Sequence, residues 1–526
     1  MAFKNEHSYY RATLAGKETD LDRKYEKALT RLEKKSGKRY PMIINGNEIY
    51  SSAGEFDSKS PISSELVVGR FPIGLRENVN AAVAAAKAAY ATWKEVPYQE
   101  RAELCKKAAR IFHKRRYDFW AALTLEAGKN RFEASIDADE ATDFLNYYAL
   151  QIIKNKGFKI SMGKPFPEEN CTSILKPFGV WAVISPFNFP VAVTAGMAIG
   201  AIVAGNTVVL KPSSDCPLCG YLVYEALRDA GLPAGVCNFV TGSGSSTGVP
   251  LVENDDVAGF VFTGSFETGM ANFRRALAKK PRPYIAEMGG KNPIIVSNKA
   301  DMAKAAEGVV RSSFGYSGQK CSACSRVLVH KDIKDALVRL LVEKMKTLKT
   351  GDPRKKETFV GPVINEAAYK RFQEASILAK KECKVVAGGR IITEGEYQKG
   401  YFVEPTVVDN VPRDHRLATE ELFLPFTVIV TVDNLEDALN VANSSEYGLT
   451  AGIFTEDRSE ITTFFNTMEA GVLYANRTRG GSTGAVVGGQ SFVGWKSSGT
   501  TGRGAGGPYY VSQFLREQCH TDCITQ

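Results

Sequence analysis

Histidine is scarce in this sequence, five residues in 526. A structural zinc site needs four nitrogen or sulfur ligands. Neither Cys216/Cys219 nor Cys321/Cys324 has a histidine pair near it, so no metal is expected. Long apolar runs are also missing. The nearest approach, VAVTAGMAIGAIVA at 191–204, falls short of the roughly 20 residues that span a bilayer. Pro190 ahead of it and Gly205-Asn206 behind it make it a buried helix between two strands, so no membrane partner is expected. There is no dense basic run. The net charge of +9 comes from scattered Lys and Arg, which reads as a solvated surface rather than a nucleic-acid interface. A mildly basic field still suits an anionic cofactor or substrate. The opening MAFKNEHSYYRATLAGKETD is polar and charged, with no apolar leader. The ten cysteines are therefore expected to be free thiols in a reducing, cytoplasmic setting.

Apolar residues make up 44% of the chain and charged residues 24%, the balance of a globular enzyme. The length predicts two or three domains. A helical arm is predicted after Asp20-Leu21-Asp22, then a strand pair around MIINGNEIY, where Asn45-Gly46 signals a hairpin. Ala-rich helices follow from about Asn78 to Lys156 and read as packing elements with no catalytic look. From Gly179 strands and helices alternate: VWAVIS, the helix 190–204, TVVLK, the helix PLCGYLVYEALRDAG, CNFVT, FVFTG. A second alternating block runs from NPIIV through SRVLVH, FTVIVTV, LTAGIFT and GVLYA. Such alternation predicts α/β architecture: two Rossmann-like domains in series, each a parallel sheet covered on both faces.

Several residues are candidates for chemistry. Cys321 lies in FGYSGQKCSACSRV, a Gly/Ser-rich loop before a strand, with Lys320 beside it to lower the thiol pKa. The plain alternative is an inert buried thiol, and Cys324 reads as packing. Glu287 in YIAEMGGKNP ends a strand before Gly289-Gly290, a place for a general base or for an ordinary ion-paired glutamate. Asn188 in SPFNFP can donate its amide to an oxyanion or can simply shape a turn. The loops TGSGSSTG (241–248) and FTGSFETG (262–269) each follow a strand and precede a helix, a setting for phosphate, though neither matches GxGxxG as a dinucleotide fingerprint requires.

Each feature alone is weak; their order is not. SPFNFP, LKPSS, FTGSxxxG, EMGGKNP and GQKCS, with EELF at 420–423 and VGWKSSG at 493–499, resemble the aldehyde dehydrogenase superfamily from about residue 40 to the C-terminus. The resemblance implies Cys321 as nucleophile, Asn188 with the Cys321 backbone N–H as oxyanion hole, and Glu287 as the base that activates water. It implies Ile184, Ser185, Lys211, Ser214, Gly244, Gly264, Ser265, Glu421 and Phe423 as the cofactor-binding set. Within the superfamily, FKNE…DLDRKYEKAL…GKRYPMIING, GQKCSACSR, YANR with STGAVVG, and GGPYY resemble the pyrroline-5-carboxylate (glutamate-γ-semialdehyde) dehydrogenases. That likeness implies Thr483, Gly484, Ala485 and Ser322 around the substrate carboxylate, with Phe189 and Phe492 flanking its aliphatic middle.

Departures from the pattern are local. The stretch after Asn476 carries about three extra residues, RTRGGS, by comparison with the usual loop of the resemblance; Ser491, Val493 and Leu424 replace its common residues. Ser214 stands where many relatives carry an acid that repels a 2′-phosphate, so NAD or NADP is expected as cofactor. The expected reaction is oxidation of glutamate γ-semialdehyde to glutamate through a thioester. The alternatives are another carboxylated semialdehyde such as succinic semialdehyde, acyl transfer to coenzyme A, or a non-catalytic binding relative. The resemblance also implies a cofactor domain (1–158 with 179–287), a catalytic domain (288–505), and a small bridging β element (159–178 with 506–526) of a homo-oligomer, dimer or higher.

Overall fold

The computed structural model describes residue 5 and residues 8–478 and 486–523. Two seven-stranded sheets organise it. In the first, the strands Tyr284–Glu287, Val257–Thr263, Val180–Ile184, Thr207–Lys211 and Cys237–Phe239 lie side by side and run parallel. The hairpin Met42–Ile44/Asn47–Ile49 adds an antiparallel edge. Its turn uses positive φ at Asn45 (51°) and Gly46 (78°), the conformation that Asn-Gly favours in two-residue hairpins. The parallel strands read as near-continuous apolar runs because helices cover both faces; Val180, Trp181, Ala182 and Val183 are all buried. The apolar segment at 191–204 forms the helix Ala192–Val203, buried along its length. No helix among the described residues is long and apolar enough to cross a membrane.

The second sheet runs Lys384–Ala387, Thr406–Asp409, Phe426–Val432, Cys324–His330, Asn292–Val296, Thr450–Phe454, Val472–Ala475, parallel except for its first strand. In the first sheet, successive strands leave Val180–Ile184 toward 207–211 on one side, and the chain later returns to its other side at 257–263. That reversal of strand order opens a crevice beyond the carboxyl ends of 180–184 and 257–263, where open α/β sheets bind ligands. The loops there are 185–190 and 264–268.

One feature lies outside the sequence reading. A hairpin of Glu55–Ser60 and Ser63–Pro72 fills part of the stretch before the Ala-rich helices. Those helices are three, Arg76–Trp93, Tyr98–Ala127 and Arg131–Lys154. The last two meet at Gly128, in the left-handed region at φ 70°, and Asn130 caps the third by accepting from Glu133 N at 2.9 Å. Lys159–Ser161, Glu169–Pro177 and Leu515–Cys523 form a separate antiparallel sheet, in the two stretches where the resemblance implies a small β element. Tyr510, Val511 and Phe514, just before its last strand, are buried in the main core.

Candidate active site

The strand Val180–Ile184 ends at the buried Ser185, and the chain passes through Asn188 into the helix Ala192–Val203. Asn188 is buried; its Oδ1 accepts from Phe189 N at 3.1 Å, and its amide nitrogen has no acceptor among the described residues. The helix start is fixed from below by Asp137, whose Oδ1 accepts from Ala192 N at 2.7 Å.

Cys321 arrives by an unusual backbone. Tyr316, Ser317 and Gly318 all have positive φ (49°, 55° and 66°), which costs roughly 1–2 kcal/mol for each residue with a Cβ. Three hydrogen bonds of 2.8 Å hold the turn: Tyr316 OH donates to Ala127 O, Ser317 Oγ to Gly361 O, and Ile364 N to Gln319 Oε1. Gly318 is required, since any Cβ there would collide with the Leu424 carbonyl. The carbonyl of Cys321 is clamped by Asn292 Nδ2 at 2.7 Å, which also donates to Ala323 O at 2.9 Å. Burial pushes the Cys321 thiol up to about 12, aided by the negative charges of Glu421 and Glu287; the backbone N–H groups of Cys321 and Ser322 pull in the other direction.

The expectation that Lys320 activates this thiol is overturned. Lys320 Nζ is turned into the protein, 2.8 Å from Oε1 and 2.7 Å from Oε2 of Glu133, and both side chains are buried. Its charge is committed to that carboxylate. The helix Arg131–Lys154, read from sequence as packing alone, therefore supplies a charged group beside the nucleophile loop.

Glu287 closes the strand Tyr284–Glu287. Its carboxyl faces the Gly494 backbone N–H, its Oε2 is buried without a hydrogen-bond partner, and burial pushes its pKa well above the carboxylate range. Glu421 lies across the backbone that follows: its Oε1 accepts from Gly290 N at 2.9 Å, and a Cβ at Gly289 would collide with its carboxylate. Burial raises Glu421 to about 7 against the pull of Gly290 N–H and Lys291. Phe423, itself at φ 57°, sets its ring edge-on to Phe187 with centroids 5.7 Å apart.

Beyond the carboxyl ends of the first sheet's strands is a cavity of about 990 Å³. Asn188, Cys321, Ser185, Gly264, Ser265, Glu421 and Phe423 all line it. It fits a dinucleotide in two respects. Ser265 caps the helix Phe266–Leu277, whose first N–H groups face an anion's natural position. Ser185 Oγ is buried on the cavity wall with no hydrogen-bond partner. The remaining expected cofactor positions lie outside the lining. Ile184 ends its strand, Ser214 is exposed, and Lys211 is buried with Nζ donating to Pro212 O at 3.0 Å. Burial lowers Lys211 to about 8. Gly244 begins a short helical turn capped by Ser243, and Lys211 lies beside Gly248 at the other end of that turn.

Among the expected substrate positions, Phe189 and Phe492 are half-buried, the latter bridged to Ala505, and Ser322 is buried beside Cys321; none of them lines the cavity. Thr483, Gly484 and Ala485 lie outside the described residues. Asn292, Glu133, Lys129 and Asp137 were missed. Only Asn292, within the KNP of EMGGKNP, stood next to a recognised motif.

The aldehyde dehydrogenase family model matches residues 49–519, and this chain belongs to that family. It is 40% identical over 505 residues to a 1-pyrroline-5-carboxylate dehydrogenase of Bacillus mycoides, covering 95% of this chain and 96% of the relative. Among solved structures, the 1-pyrroline-5-carboxylate dehydrogenase from Thermus with bound NAD superposes with a TM-score of 0.92 at 35% identity, covering 96% and 97% of the two chains. Proline utilization A from Bdellovibrio bacteriovorus gives 0.91 at 37% identity; this chain spans 52% of that longer protein.

Proposed function

We propose that this protein oxidises L-glutamate γ-semialdehyde to L-glutamate with NAD or NADP. The observation that carries the reading is that Asn188 and Cys321 line the same dinucleotide-sized cavity, in a chain similar along almost its whole length to 1-pyrroline-5-carboxylate dehydrogenases. Residues 1–158 with 179–287 form the cofactor domain in this reading, and 288–505 the catalytic domain. The three-stranded sheet exposes Ile160, and the loop joining its first two strands exposes Met162 and Phe166, which suits a homo-oligomer contact.

The chemistry proceeds on the chain's own residues. The Cys321 thiol gives up its proton to solvent water, its sulfur attacks the aldehyde carbon, and the resulting oxyanion is met by the Asn188 amide and the Cys321 backbone N–H. The nicotinamide supplies one thing, acceptance of the hydride. The Cys321 thioester is then attacked by water, which gives its proton to Glu287, and the carboxylate product leaves the regenerated thiol. Glu287 must be ionised at that step, so its raised pKa holds deacylation back at low pH. Ser322 and the loop of Thr483, Gly484 and Ala485 are assigned to the substrate carboxylate, and Phe189 and Phe492 to its aliphatic chain. Lys211 and Ser214 are assigned to the adenosine ribose and Gly244 and Ile184 to the cofactor more generally, and Ser214 brings no charge against a 2′-phosphate.

The test is the appearance of reduced nicotinamide with glutamate semialdehyde, run with NAD and NADP in parallel, beside succinic semialdehyde and a Cys321→Ala control. Turnover specific to glutamate semialdehyde and absent from the control is the expected result. Equal rates with succinic semialdehyde would remove the substrate assignment.

A further inference from the structure

Lys129 has no solvent exposure, and neither has its partner Asp137. Its Nζ donates to Asp137 Oδ2 at 2.8 Å. The same ammonium stands 3.7 Å from the ring centroid of Phe189 and 4.7 Å from that of Tyr316. A cation desolvated over aromatic faces is held by their quadrupoles as well as by its counter-ion. The backbone delivers Lys129 there through Gly128, whose positive φ turns the chain and where a Cβ would press against the rings of Pro61 and Pro362 at 3.0 Å.

The two rings belong to the two segments that carry the chemistry. Phe189 is the neighbour of Asn188. Tyr316 opens the left-handed turn that ends at Cys321. Asp137 adds a third tie, because its other oxygen accepts from Ala192 N at the start of the helix that follows Asn188. One buried ion pair therefore touches the oxyanion segment twice and the nucleophile turn once.

We propose that Lys129 is a positioning residue, which sets the spacing between the Asn188 amide and the Cys321 sulfur by bridging Phe189 and Tyr316 over one buried cation. This rests on the roles proposed above for Asn188 and Cys321. Misplacement of reacting groups by about 1 Å is enough to cost on the order of 100-fold in rate. The lysine acts through its neighbours and touches neither substrate nor cofactor.

The test uses the full-length protein. Lys129→Met alone would leave Asp137 charged and unpaired, so the neutral pair Lys129→Met/Asp137→Asn is compared with Lys129→Arg. The readouts are melting temperature, cofactor affinity, the pre-steady-state burst of reduced nicotinamide, the KM for aldehyde, and the rate of Cys321 alkylation by iodoacetamide. The double variant is expected to melt near the parent and bind cofactor normally, with a burst about 10–100-fold slower, KM changed far less, and an altered alkylation rate. Lys129→Arg should recover most of the burst. A folded double variant with a parental burst and alkylation rate overturns the proposal, as does a loss that Lys129→Arg fails to recover. If the double variant does not fold, Tyr316→Leu against Tyr316→Phe decides: both lose the hydroxyl's bond to Ala127 O, so the difference between them reports the ring, and Tyr316→Leu should slow the burst and change alkylation further, while equal behaviour of the two overturns the proposal. Should the parent itself fail to turn over the aldehyde, the functional reading falls, while the alkylation rates still judge Lys129.

Discussion

Lys320 precedes the nucleophile in sequence yet points away from it, its Nζ 2.7 Å from Oε2 of Glu133 across a gap of 187 residues. Both partners are buried. Glu133→Ala would leave an uncompensated ammonium, and such losses typically cost about 3–5 kcal/mol. Chemical denaturation should show a loss of that order. Glu133→Gln, which keeps an acceptor, is expected to lose less.

The Cys321 thiol lies high because of burial first and the carboxylates Glu421 and Glu287 second. A thiolate reagent such as iodoacetamide should therefore react faster with rising pH, with no plateau below about 10 in the protein without ligands. Glu421→Gln removes a negative charge, so it should lower the thiol pKa and speed alkylation at pH 8. An unchanged rate in that variant would remove Glu421 from the electrostatic account.

Glu287 separates the two halves of the reaction. Glu287→Gln should retain the burst of reduced nicotinamide and lose steady-state turnover by about 100-fold, within the range for a general base. Stability should change in the opposite direction. The folded carboxyl has a raised pKa, so the native state binds the extra proton, and stability falls as pH rises above the unfolded value near 4.3. The amide does not ionise, so Glu287→Gln should melt higher than the parent at pH 8 and near it at pH 4.

Cofactor choice is tested at Ser214, an exposed hydroxyl next to the buried Lys211 strand end. Ser214→Glu places a carboxylate where a 2′-phosphate would approach, and about 1.4 kcal/mol of repulsion is a tenfold change in binding. NADP affinity should fall by about that factor, with NAD little changed, as read by fluorescence titration.

Much of the site was legible because its parts sit in contiguous motifs at strand ends. Asn188, Gly264 and Ser265 follow a strong apolar run, Cys321 and Glu421 precede one, and the run itself says where the loop begins or ends. The helices at 98–127 and 131–154 gave no such signal. Their Ala-rich pattern speaks of packing, and the partners of Glu133 and Asp137 lie far along the chain. The hairpin 55–72 was hidden for a different reason: Glu55, Asp57, Ser58, Lys59 and Ser60 have little intrinsic strand preference, and pairing with 63–72 decides their conformation. Lys320 misled because adjacency along a chain says nothing about direction once the backbone turns through three left-handed residues.

The strand Val472–Ala475 of the second sheet stops one residue before Asn476, and the longer stretch follows directly from its carboxyl end. That separates what can vary from what must stay. The extra residues fall between Asn476 and Thr483, clear of every strand named above, so in the substrate reading proposed here aldehyde preference is open to drift or to directed libraries while the thiol, its amide neighbour and the clamp from Asn292 remain in place. On that reading a new specificity is a matter of loop length and chemistry, tried on a framework that need not be re-stabilised each time.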